Sequence, residues 1–142
     1  MKNERTVLVC VTAQESSQTL VRAGKAIAER NKASLEVVSV LPVMNSDGRV
    51  NPQMIEKLYR TAQKEGGEMA FYFSDEPILT VSAHIAKRKP LTVVVGFPGE
   101  ESNDFVFTLH LLLPEIPISM VGKDGTIYNM LPYEAVQSVG TK

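Results

Sequence analysis

The stretch whose reading decides the fold is LTVVVGFPGEESNDFVFTLHLLLPEIPISMV, residues 91–121. Its two ends, 91–95 and 116–121, are apolar on consecutive positions instead of alternating ones. A strand with one wet face alternates. A strand covered by helices on both faces does not, and sheets built that way are parallel. Between the two runs, Ser102 or Asn103 can cap a helix that turns Phe105, Val106, Leu109, Leu112 and Leu113 inward, and Pro114 terminates it. The segment reads as one strand–helix–strand crossover.

The same alternation extends toward the N-terminus. Apolar runs recur at 6–11, 34–41 and 68–73. Ser16-Ser17 can cap a helix with the stripe Leu20, Ala23, Gly24, Ile27 and Ala28. Asn51-Pro52 opens a second, with Met54, Ile55, Leu58, Tyr59 and Ala62 inward and Gly66-Gly67 as its stop. Asp75 can cap a third, with Pro77 in its first turn, Ile78, Val81, Ser82 and Ile85 inward, and Pro90 at its end. Five strands alternating with four helices predict an α/β fold. The expected form is a doubly wound, five-stranded parallel sheet in the order 3-2-1-4-5 with helices on both faces. The expected domain is 4–121. Residues 42–51 read as an exposed loop, and 122–142 as a tail with a turn signal but no periodicity.

Composition narrows the function classes. Of 142 residues, 44% are hydrophobic and 22% charged, as in ordinary globular domains. Fifteen basic and sixteen acidic side chains leave no electrostatic footprint for nucleic acid or an anionic membrane. The one basic cluster, Lys87-Arg88-Lys89, falls at a helix end, where cations complement the dipole. No apolar run approaches the roughly 20 residues that span a bilayer. Cys10, the single cysteine, sits in an apolar run and reads as a buried hydrophobe. These features suit a soluble cytoplasmic protein.

In an open parallel sheet, ligands bind beyond the carboxyl ends of the strands, where strand order reverses. That directs attention to residues 12–17, to the loop from residue 42, and to 96–102. Gly96 and Gly99 stand at a strand-to-helix turn, where backbone amides can meet an anion. Glu100, Glu101 and Asp104 follow, and they oppose a triphosphate at that place. No nucleophile–base pair or metal-ligand spacing is visible, and His84 and His110 read as helix-surface or boundary residues. The expectation is a protein without enzymatic activity, metal or obligate cofactor.

The segment TVLVCVTAQESSQTLVRAGKAIAERNKASLEVVSVLP and the VVGFPG…LPEIPISMV end resemble the universal stress protein family, in particular the stress-protein-like domain of potassium-sensing histidine kinases. The resemblance implies a five-stranded parallel sheet and a homodimer in which the last strands pair. It also implies an adenine-nucleotide site marked by Gly-x-x-Gly, nine residues, then Gly-Ser or Gly-Thr, with an aspartate after the first strand. Gly96 and Gly99 match the first half. Nine residues beyond Gly99 stand Leu109 and His110, and Thr12 takes the aspartate's place.

The candidate nucleotide residues are therefore Thr12, Ala13, Val40, Gly96, Pro98, Gly99, Ser102 and His110, for AMP, ATP or cyclic di-AMP. The candidate dimer surface is Ile116, Ile118, Met120 and Val121 of the last strand, the expected sheet edge. The functional expectation is a stress-response or signalling domain acting through dimerisation and an unidentified protein partner, with a degenerate nucleotide site. The alternative is a binding module for an adenine nucleotide or cyclic dinucleotide.

Overall fold

A computed structural model of the chain describes residues 5–11, 17–41, 52–96 and 104–130. Strands β1 (Thr6–Val11), β2 (Ser34–Leu41), β3 (Glu68–Phe73), β4 (Thr92–Gly96) and β5 (Ile118–Val121) alternate with helices α1 (Ser17–Arg30), α2 (Pro52–Lys64), α3 (Pro77–Arg88) and α4 (Asp104–Leu112). A further strand, β6 (Ile127–Met130), follows. The sheet order is β3-β2-β1-β4-β5-β6. The first five strands are mutually parallel, as expected, and β6 runs antiparallel to β5.

Side chains alternate across the sheet and build two cores. On one face Val7, Val9, Val37 and Val94 pack against Val21, Ile27 and Ala28 of α1 and Leu58 and Ala62 of α2. On the other, Leu8, Val38, Val93 and Val95 pack against Val81 and Ile85 of α3 and Val106 and Leu109 of α4. Complete burial of a valine or leucine stabilises by about 1.5–3 kcal/mol, so these two layers dominate the folding free energy. Gly24 lets α1 lie close on the sheet, because a Cβ there would collide with Val9 Cγ2.

Several expectations require correction. The sheet does not stop at residue 121: Ile127 pairs with Val121 and Met130 with Ile118, so β5 is an inner strand. Ile118 and Met120 are buried in the α3/α4 core, Val121 in the α1/α2 core, and Ile116 is partly buried. The dimer residues assigned to a free edge are thus occupied within the chain. The hairpin is closed by Gly122, Asp124 and Gly125: Gly122 N–H donates to Thr126 O (2.8 Å), and Asp124 Oδ1 accepts from Thr126 N–H (3.0 Å). Gly125 adopts φ +89°, which glycine reaches without strain.

The third helix is capped differently as well. Its N-terminal boundary falls on Glu76, and the Ser74 hydroxyl accepts the Glu76 N–H at 3.0 Å. Leu112, expected inward, is 48% exposed. The expected caps of α1 and α4 and the loop at 42–51 lie outside the described residues.

Candidate functional site

Strand order reverses between β1 and β4. α1 leaves β1 onto one face, and α4 follows β4 on the other. The crevice beyond their carboxyl ends is therefore the ligand position that this topology offers. Gly96 closes β4 at that rim, in register with Val121. Among the described residues, a Cβ on Gly96 would meet nothing nearer than Leu20 Cδ1 of α1, at 3.7 Å, and the glycine itself presents a bare backbone there. Val40 stands near the end of β2 but packs into the α3/α4 core, on the opposite face from Gly96. Thr12, Ala13, Pro98, Gly99 and Ser102 lie outside the described residues.

His110 lies within the fourth helix, as the sequence reading places it. α4 already begins at Asp104, and His110 belongs to its last turn. At 1.5 Å per residue that is about 9 Å further along the helix than the end facing the crevice. Leu109 is 1% exposed and belongs to the α3/α4 core. The pair fills a helix, and neither residue occupies a strand-to-helix anion turn. Counting nine residues on from Gly99 lands inside α4.

A second polar group was missed at the sequence level. Glu36, on β2, is buried in the α3/α4 face, with His84 and Arg88 of α3 over it. Glu36 Oε2 lies 3.1 Å from the half-exposed Arg88 guanidinium, and Oε1 lies 3.3 Å from His84 Nε2. The latter contact has ion-pair distance without hydrogen-bond alignment, and among the described residues neither atom has a hydrogen-bond partner. Tyr72 Oη sits 2.7 Å from His84 Nδ1, its ring edge-on to the imidazole at 5.5 Å. With the hydroxyl donating to Nδ1, the ring proton resides on Nε2 and faces the carboxylate.

His84 is thus an interior residue, not a helix-surface one. The signal was present in the sequence: an acid inside an apolar strand requires partners, and His84 and Arg88 stand four apart on one helix face. Cys10 lies nearby, and burial, then the Glu36 charge, push its thiol up to about 12. A thiol held there is protonated and inert at neutral pH. Glu36 pairs in register with Leu8 and Glu68, near the strands' starts. This cluster therefore lies toward the pole opposite the crevice, where it ties α3 to the sheet.

Among the described residues, no group of three His, Cys, Asp or Glu is placed to hold a metal, and no helix is long and apolar enough to cross a membrane.

The universal stress protein family model matches residues 4–110. Solved structures share the fold. A universal stress protein in complex with cAMP is 18% identical, covering 74% of this chain and 82% of its own, with TM-score 0.53. A universal stress protein family member from Burkholderia pseudomallei is 15% identical, covering 82% and 94%, with TM-score 0.55. The universal stress protein of Archaeoglobus fulgidus in complex with dAMP is 17% identical, covering 78% and 92%, with TM-score 0.50. No curated protein matches the chain in sequence. The match over most of its length makes the chain a member of the universal stress protein family.

Proposed function

We propose that this universal stress protein is a non-enzymatic cytoplasmic stress-response or signalling domain that binds an adenine mononucleotide in the crevice between β1 and β4. The observation that carries the reading is Gly96 at the strand-order reversal between β1 and β4, where a side chain would come no nearer than 3.7 Å to any described residue. Two structures of like fold support the ligand class, since they are complexes with cAMP and dAMP. Glu100, Glu101 and Asp104 gather negative charge after Gly99. A like-charge pair at 4 Å costs on the order of 1 kcal/mol in water and more in a partly dry cleft. Ligands with one phosphate therefore outrank ATP. The likeness to the domain of potassium-sensing histidine kinases makes cyclic di-AMP the third ligand to compare.

Calorimetry and thermal shift with AMP, cAMP, cyclic di-AMP and ATP test this. A ligand at a hundred times its Kd adds about 2.7 kcal/mol of stability. The expected order is AMP or cAMP above ATP. ATP binding as tightly as AMP would remove the charge argument. Silence from all four would favour a domain acting by protein contacts alone, with a degenerate crevice.

A further inference from the structure

Helix α4 carries apolar residues on all of its faces, a pattern that ordinarily belongs to a buried helix. Val106 and Leu109 fill the α3/α4 core, yet Leu111 is 77% exposed, and Phe107 and Leu112 are half-exposed. Three of the seven large apolar side chains left exposed among the described residues thus stand on one helix of nine residues. After Asp104 that helix contains no Asp, Glu, Lys or Arg. Its outer face is an apolar surface without a cover.

The end of β6 lies close to that surface. Only residues 113–117 separate Leu112 from Ile118, so the carboxyl end of α4 lies at the pole where β5 starts. Met130 pairs with Ile118 at the same pole, and it packs on the α3/α4 core as Leu113 and Ile116 do. The chain therefore leaves β6 on the side of the sheet that carries α4. The residues that follow are LPYEAVQSV, 131–139. Leu131, Tyr133, Ala135, Val136 and Val139 are apolar, and Glu134 is the one charge among the nine.

We propose that segment 131–139 turns back from β6 and seats on the outer face of α4, over Phe107, Leu111 and Leu112. Three features favour this occupant. The reach fits, since α4 is about 13 Å long and nine residues span up to about 30 Å when extended. The chemistry fits, since the contact can form by joining apolar surfaces while Glu134 alone must stay in water. The tether decides between occupants. A segment joined to Met130 meets α4 at an effective concentration on the order of millimolar, well above that of a free second copy in micromolar solution. A partner that docks on α4 must first displace it.

Paramagnetic relaxation on the full chain tests the seat. A nitroxide is placed on Ser138→Cys, while Cys10, buried with its thiol pushed up to about 12, stays unmodified. The amide signals of residues 107–112 should lose most of their intensity, whereas those of α2, across the sheet, keep theirs. Leu111→Asp charges the seat at an exposed position, and it should restore the α4 signals. A mixture carrying the nitroxide and the isotope on different copies should show no loss. Undiminished α4 signals in the labelled chain, or a loss equally strong over α2, would overturn the proposal. So would a loss that survives Leu111→Asp, or one that appears in the mixture, which would assign the face to a second copy.

Discussion

The two faces of the sheet use the same strands and solve different problems. Toward α1 and α2, the buried polar side chains among the described residues are uncharged: Ser39, Thr92 and Ser119. Thr92 Oγ1 and Ser119 Oγ lie 3.0 Å apart, and Ser119 donates to Asn129 Oδ1 at 3.2 Å, linking β4, β5 and β6. Toward α3 and α4, Glu36 and His84 are buried and ionisable. The first face is fitted by shape and small hydroxyls. The second is tied by charge, and it can be loosened one partner at a time.

The largest expected effect lies on the second face. Leu109→Gly removes a fully buried side chain and adds a flexible residue inside a helix. Denaturant unfolding should register a loss of about 4 kcal/mol. A folded Leu109→Gly/His110→Ser variant that gained ATP affinity would contradict the placement of both residues in α4, away from the crevice.

Next is the charged tie. His84→Leu leaves Tyr72 Oη and a buried carboxylate short of a partner, which should cost about 2 kcal/mol. Adding Glu36→Leu removes the orphaned charge, so the double variant should be less destabilised than the sum of the singles. Strict additivity would show that Glu36 and His84 are only neighbours.

On the first face the expectation reverses an ordinary rule. Gly→Ala in an exposed helix gains about 1 kcal/mol. Gly24→Ala should instead lose about 1 kcal/mol net, because its methyl overpacks Val9 and comes within 3.3 Å of Leu35 Cδ1. A stabilised variant would mean that α1 can lift from the sheet at little cost.

The smallest effect belongs to the β5–β6 turn. The Thr126 backbone N–H holds the exposed Asp124 carboxyl below the usual range. A depressed folded pKa stabilises above the unfolded value and is lost as pH falls through the folded one. Protection of the hairpin amides, relative to their intrinsic exchange rates, should therefore fall below about pH 4, and Asp124→Asn should flatten that dependence.

The fold was legible where one physical signal dominated. Consecutive valines in β1 and β4, and helix stripes such as Val81 and Ile85, carried the parallel strands and the two-layer cover. The strand order followed from the same doubly buried pattern. β6 escaped because four residues, Ile127–Met130, are too few for alternation to register, although Asp124-Gly125 supplied a turn. The candidate site was legible only in part. Topology located the crevice and Gly96, whereas the motif spacing named His110 although the helix stripe from Phe105 to Leu113 already placed it inside α4. Glu36, His84 and Tyr72 were far apart in sequence, and only the packing of α3 across β2 and β3 brings them together.

Strand β6 also determines the polarity of attachment. The parallel strands all point their carboxyl ends at the crevice, but β6 descends the other way, and Met130 finishes beside Ile118 at the opposite pole. A fluorophore or tether placed at Met130 thus leaves the ligand-facing rim unencumbered. Any message passing from the crevice to that anchoring point must travel the full height of the sheet.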